Sequence, residues 1–123
     1  MRALVVEDDV NIQIFLSTVL QGLGYEVYEA GNGLEALAAL QYSGAFDLMV
    51  SDLLMPMLDG VNFVQWVRQE HPLLPILVAS AYLERAVAAE ELPKDVTTIQ
   101  KPFSHPQFVE AVKRTIRDAG AKE

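Results

Sequence analysis

Cysteine is absent from this 123-residue chain, and histidine occurs only as His71 and His105. Neither a thiolate ligand nor a disulfide framework can form, and two imidazoles so far apart in sequence make no recognisable ligand pair, so a zinc site is not expected. Basic residues are scarce as well: 9 Lys and Arg stand against 17 Asp and Glu, a net charge of −8. That surplus repels phosphate backbones and anionic lipid, which argues against direct nucleic-acid or membrane binding. No apolar run reaches the roughly 20 residues needed to cross a bilayer. The opening MRALVVEDD turns acidic before a signal-peptide core could form, so the expected setting is the cytoplasm. Low-complexity tracts, internal repeats and linkers are also missing. Residues 1–123 are therefore expected to be one domain, frayed only at AGAKE, 119–123.

What the chain does have is hydrophobic residues, 51% of the total, in two alternating periods. Arg2–Val6 reads as a strand, followed by Ile12, Phe15, Leu16, Val19 and Leu23 at helical spacing up to Gly24. Residues 25–30, YEVYEA, read as a half-polar strand, which suits an edge position. Gly31-Asn32-Gly33 reads as a turn, and Leu34, Leu37, Ala38 and Gln41 trace a second helix ending near Gly44. Leu48–Ser51 and residues 76–79 are short apolar runs without alternation, the pattern of central parallel strands covered on both faces, with a helix predicted between them over 61–70. A fourth helical segment over 83–92 and a strand over 97–100 follow. A last helix after Ser104, with Phe108, Val112 and Ile116 facing inward, completes five βα units. The fold class is α/β, a doubly wound five-stranded parallel sheet with five helices.

In open α/β sheets, chemistry collects beyond the carboxyl ends of the strands. Here those ends carry Glu7-Asp8-Asp9, Asp52, Ser80 and Lys101-Pro102. Asp52 is the anomaly, because it interrupts the apolar run LMVSDLLMPM, and an ionised carboxylate among apolar neighbours needs a partner. Glu7, Asp8 and Asp52 would repel one another unless a hard, oxygen-preferring divalent cation such as Mg²⁺ sat among them. With that cation and Lys101 offsetting its charge, an Asp52 oxygen can act as a nucleophile toward a phosphoryl group. The Lys101 ammonium and the Ser80 hydroxyl would then meet the charge that the group carries. Taken singly, each residue has a plainer reading: Glu7 and Asp8 as acids at a helix N-terminus, Asp52 as a turn residue, Ser80 as a cap, Lys101 as a surface lysine. Their joint occurrence at four strand ends favours a site. Met55-Pro56-Met57 and Asp59-Gly60 read as a packed loop and turn, and Trp66, His71 and His105 as structural or exposed.

The segments VVEDD at 5–9, SDLLMPMLDG at 51–60, ASA at 79–81 and KPF at 101–103, in this order and spacing, resemble the receiver domain of two-component response regulators from Leu4 to about Arg117. The resemblance implies a flavodoxin-like strand order 2-1-3-4-5 and a cis peptide before Pro102. It implies Asp52 as phosphoacceptor, Asp8 as a direct Mg²⁺ ligand, Glu7 as a ligand through water and the Leu54 carbonyl as a further ligand. Ser80 and Lys101 would sense and hold the phosphoryl group. The implied donor is a histidine kinase or histidine phosphotransfer protein, the implied outcome a conformational switch read by an output partner, with dimerisation on activation allowed. No catalysis beyond self-phosphorylation and self-dephosphorylation is expected. The competing reading is a pseudo-receiver that binds partners without phosphorylation. A phosphatase with an aspartyl nucleophile wants a second acid where Leu54 stands, and a flavodoxin would set Glu7-Asp8-Asp9 against its FMN phosphate.

The chain departs from the family pattern at Thr98, where receivers commonly carry an aromatic ring, and at Glu91-Leu92-Pro93-Lys94, which lacks a Gly-Ala turn. Tyr82, two residues past Ser80, is the candidate substitute for the missing ring. Leu54 and Tyr82 stand two past the acceptor and two past the hydroxyl residue, positions that in the family influence acyl phosphate lifetime. Both are bulky and should hinder an attacking water. Phosphate on Asp52 is therefore expected to outlast that on Leu54→Asn or Tyr82→Glu variants, measured as decay of phosphoprotein after donor removal.

Overall fold

Apolar runs that lack alternation can be satisfied only by layers on both sides, and the computed structural model provides them. It describes residues 1–55, 58–83 and 91–120. Strands β1 (Arg2–Val6), β2 (Glu26–Ala30), β3 (Leu48–Ser51), β6 (Ile76–Ser80) and β7 (Thr97–Gln100) form one sheet in the order β2-β1-β3-β6-β7. Every pairing in it is parallel, and Val5, Val50, Leu77 and Thr97 lie in one row across four strands. This is the expected 2-1-3-4-5 order once β4 (Leu54–Met55) and β5 (Leu58–Asp59) are set aside as a separate antiparallel pair.

Four helices lie among the described residues: α1 (Val10–Gly22), α2 (Gly33–Tyr42), α3 (Gly60–Glu70) and α4 (His105–Gly120). The helical segment expected over 83–92 falls largely on residues 84–90, outside the described residues, and of the end expected to fray 121–123 lie outside them too, whereas Ala119 and Gly120 close α4. No helix among the described residues is long and apolar enough to cross a membrane.

Successive strand residues point to opposite faces, and β1 accordingly divides its side chains between two cores. Leu4 and Val6 pack with Met49, Ile76 and Val78 beneath α2 and α3, through Ala36, Leu40, Phe63 and Val67. Ala3 and Val5 pack with Leu48, Val50 and Leu77 against α1 and α4, through Leu16, Leu20, Phe108 and Val112. Edge strand β2 keeps Glu26 and Glu29 exposed; three residues apart, they point to opposite faces, so neither face of this edge strand is fully covered. At its outer side the Arg2 guanidinium lies 4.4 Å from the Tyr28 ring centre and 4.7 Å from that of Phe46, joining the start of β1 to both neighbours.

Each helix start is set by a local polar side chain. Asp9 accepts from the N–H groups of Asn11 (2.9 Å) and Ile12 (3.1 Å), and Asp59 from those of Val61 (2.9 Å) and Asn62 (3.2 Å). Ser104 and Gln107 cap reciprocally: the Ser104 hydroxyl accepts from Gln107 N–H at 3.2 Å, and the Gln107 amide oxygen from Ser104 N–H at 2.7 Å. Asn32 accepts from Glu35 N–H at 2.9 Å, which starts α2 at Gly33 rather than beyond a Gly31-Asn32-Gly33 turn. That start sets the rotation of α2. Its buried positions are Gly33, Ala36 and Leu40 with Leu37 partly covered, whereas Leu34, Ala38 and Gln41 from the expected trace point outward. Small residues sit against the sheet, so the apolar spacing alone misjudged the face.

The β4–β5 pair sets Leu54 opposite Asp59 and brings the backbone of Gly60 onto Leu53. A Cβ at Gly60 would stand 2.1 Å from the Leu53 carbonyl oxygen and 2.4 Å from its Cα, both backbone atoms. Gly60→Ala is thus expected to cost about 1–3 kcal/mol in urea unfolding and to displace the segment after Asp52. Gly22→Ala, whose Cβ would meet nothing within 4 Å, should leave stability unchanged or raise it by about 0.5–1 kcal/mol.

Candidate functional site

Glu7, Asp52 and Lys101 are each placed by a hydrogen bond that continues a strand ladder past its end. Glu7 N–H donates to the Ala30 carbonyl at 3.0 Å, Asp52 N–H to the Val6 carbonyl at 3.0 Å, and Lys101 N–H to the Ser80 carbonyl at 3.1 Å. The first residues after β1, β3 and β7 are thereby held on one rim. The Lys101–Pro102 peptide is cis, as the family resemblance implied.

On that rim the Lys101 ammonium donates to Glu7 Oε1 at 2.7 Å and to Asp52 Oδ2 at 3.0 Å. Glu7 is 2% exposed and Asp52 7%, while Asp8 stands exposed beside them. One carboxylate oxygen from each of Glu7, Asp8 and Asp52 lies within 4.8 Å of the others. The second oxygen of Asp52 accepts from the N–H groups of Leu53 (2.7 Å) and Leu54 (3.3 Å), and Glu7 Oε2 accepts from Asp9 N–H at 3.2 Å.

Burial pushes the Glu7 carboxyl above its ordinary value, with the Asp52 charge acting the same way; hydrogen bonds from Lys101 and Asp9 only partly oppose this. Burial draws the Lys101 ammonium down, but hydrogen bonds and charge attraction from Glu7 and Asp52 outweigh it and leave the group raised. One ammonium against three carboxylates leaves an excess of negative charge in a nearly closed place. Every available donor is a hard oxygen, so Glu7, Asp8 and Asp52 could hold a divalent cation of the Mg²⁺ type and fit poorly to a soft one.

Ser80, fully buried as the last residue of β6, accepts the Tyr82 N–H on its Oγ at 3.1 Å. Among the described residues no hydrogen bond joins its side chain to Asp52 or Lys101, so Ser80 borders the charged cluster without entering it. Leu54 and Tyr82 are 59% and 58% exposed. Thr98 is half-buried opposite Val78, and its carbonyl accepts from Arg114 Nη2 at 3.4 Å. Two glutamines were not foreseen. Gln13 donates to the Glu7 carbonyl at 3.1 Å, and Gln100 to the Ala81 carbonyl at 2.9 Å. Both are single polar residues in ordinary periodic segments, so nothing in the sequence marked them. Trp66 and His71 contact each other edge-on, with ring centres 6.4 Å apart, and His105 is exposed at the start of α4.

The family model described as the response regulator receiver domain matches residues 3–113. The chain belongs to that family. This receiver is 36% identical over 116 residues to sensor kinase CckA of Brucella abortus, a match covering 92% of this chain and 12% of that protein. It is also 36% identical over 114 residues to the DNA-binding transcriptional regulator NtrC of Salmonella typhimurium, covering 91% of this chain and 24% of that one. The receiver thus corresponds to a quarter or less of these curated relatives. Among solved structures, response regulator TrrA of Thermotoga maritima, determined in complex with Mg(2+)-BeF, aligns with a TM-score of 0.79 at 31% identity, covering 93% and 97% of the two chains. A CheY-like receiver domain protein of Methanospirillum hungatei aligns with a TM-score of 0.86 at 24% identity over 99% and 98% and shares the fold.

The Lys101 contacts give a direct expectation for this receiver. Lys101→Met leaves the nearly buried Glu7 and Asp52 facing each other with no cation, and breaking such a pair costs about 3 kcal/mol. Urea midpoints should show that loss, and a Glu7→Gln, Lys101→Met double variant should recover part of it.

Proposed function

We propose that this receiver accepts a phosphoryl group on Asp52 from a phosphohistidine donor, with Mg²⁺ held by Asp8, Asp52, the Leu54 carbonyl and, through water, Glu7. The observation that carries the reading is Asp52 Oδ2 on the strand-end rim, 3.0 Å from the Lys101 ammonium and grouped with Glu7 and Asp8. Asp52 attacks phosphorus, the new O–P bond forms as the P–N bond of the donor breaks, and the bonding pair returns to the donor ring nitrogen. The other ring nitrogen keeps its proton, so a neutral imidazole leaves. When bound, Mg²⁺ supplies positive charge to the phosphoryl oxygens and aligns them. Lys101 neutralises charge on the phosphoryl group as it transfers, and Ser80 supplies a hydroxyl hydrogen bond to the product. An apolar groove of about 500 Å³, lined by Ile12, Phe15, Pro102 and Phe103 beside Lys101, gives the donor a surface to dock on. The chemistry is self-modification, and its output is a shift between two conformations that a partner reads.

Names among the relatives support this assignment: one is a sensor kinase, another a transcriptional regulator. A receiver that only binds partners explains poorly why Glu7, Asp8, Asp52, Ser80 and Lys101 occur together.

Intact mass after incubation with acetyl phosphate is the test. One phosphoryl group is expected on the native chain with Mg²⁺, and none with EDTA or on Asp52→Asn. A folded native chain that binds Mg²⁺ and gains nothing would establish the interaction-only reading instead. In parallel, Mg²⁺ at a hundredfold excess over its Kd should stabilise the native fold by about 2.7 kcal/mol, and Asp8→Asn should lower the affinity at least tenfold.

A further inference from the structure

The peptide between Ala81 and Tyr82 is held at both of its polar ends. Its N–H, on Tyr82, donates to Ser80 Oγ at 3.1 Å, and its carbonyl, on Ala81, accepts from Gln100 Nε2 at 2.9 Å. Gln100 closes β7 directly opposite Ser80 in the β6–β7 ladder and immediately precedes Lys101. One exposed amide therefore bridges the strand that delivers the ammonium and the loop that follows the buried hydroxyl.

We propose that Gln100 is a positioning residue that holds the loop after β6 in its resting arrangement and so sets how readily Ser80 engages a phosphoryl group on Asp52. The inference rests on the reading of Asp52 as phosphoacceptor. In the resting arrangement Ser80 Oγ is committed to the Tyr82 N–H. On this proposal the hydroxyl reaches a phosphoryl group on Asp52 by taking another staggered position, which releases that N–H. Because the peptide unit is planar, a turn of the freed N–H toward a new partner carries its carbonyl away from the Gln100 amide. A contact present in one state and lost in the other biases the equilibrium toward the first. Gln100 thus opposes engagement without touching the reacting atoms.

Gln100→Met keeps the length and removes the donor; Gln100→Glu keeps the length and sets an acceptor against the Ala81 carbonyl. With Mg²⁺ and acetyl phosphate, both variants should be phosphorylated about three- to tenfold faster than the native chain, the span of one net hydrogen bond. In a Ser80→Ala background the same substitutions should change the rate by less than twofold, which a merely structural role would not predict. The Tyr82 amide resonance should shift in Gln100→Met before any phosphorylation. Rates at or below native, a gain in one variant only, a gain that survives Ser80→Ala, or an unmoved Tyr82 resonance each overturn the role of Gln100 and leave the Asp52 reading standing. If the native chain itself gains no phosphoryl group, both fall.

Discussion

The Lys101 ammonium, shared between Glu7 and Asp52, is the contact on which the functional end of the molecule depends. Two nearly buried carboxylates on one rim repel each other and have little water to screen them, and the cation between them offsets that repulsion. Lys101 sits far along the chain from both, and only a parallel sheet returning to the same edge brings it there. Its own charge is secured in turn by the two acids, which outweigh the penalty of burial. A single ammonium does not balance three carboxylates. The remaining negative charge, with hard oxygen donors turned toward one another, is what makes the rim receptive to a divalent cation.

Position on this rim comes from backbone rather than from side-chain packing. The ladder continues one residue past β1, β3 and β7 through the N–H groups of Glu7, Asp52 and Lys101, so the residues that carry the chemistry are the first that leave the sheet. Asp52 is further fixed by the N–H groups of Leu53 and Leu54, and the segment behind them is pressed against Gly60, where no side chain fits. Ser80 differs: it remains inside β6, with its hydroxyl turned to the loop it precedes. The charged part of the site is preorganised, whereas the hydroxyl is poised beside it.

Membership in the receiver family and the shared fold place this chain among signalling modules that occur inside larger proteins, including a sensor kinase and a transcriptional regulator. The departure at Thr98 sets it apart from the common pattern. Thr98 pairs with Val78, and its backbone carbonyl accepts from Arg114 of the last helix, which joins β7 to α4.

Strands β1 and β3, the last helix and the acids after the first and third strands were legible in the sequence, because two-sided burial removes alternation and a carboxylate breaking an apolar run stands out. The inward face of α2 was not, since its contact with the sheet uses Gly33 and Ala36 while the larger Leu34 faces outward. The β4–β5 pair was hidden within a stretch that reads as loop. Which residue types follow each strand, and therefore which chemistry could gather at the sheet edge, is written in the order of amino acids. That the ammonium binds Glu7 and Asp52 while Asp8 stays exposed, and that Gln100 reaches the Ala81 carbonyl, emerges only on folding. Periodicity records which face of an element is apolar, but a hydrogen bond depends on ångström-scale distances between residues that only strand register and helix rotation bring together.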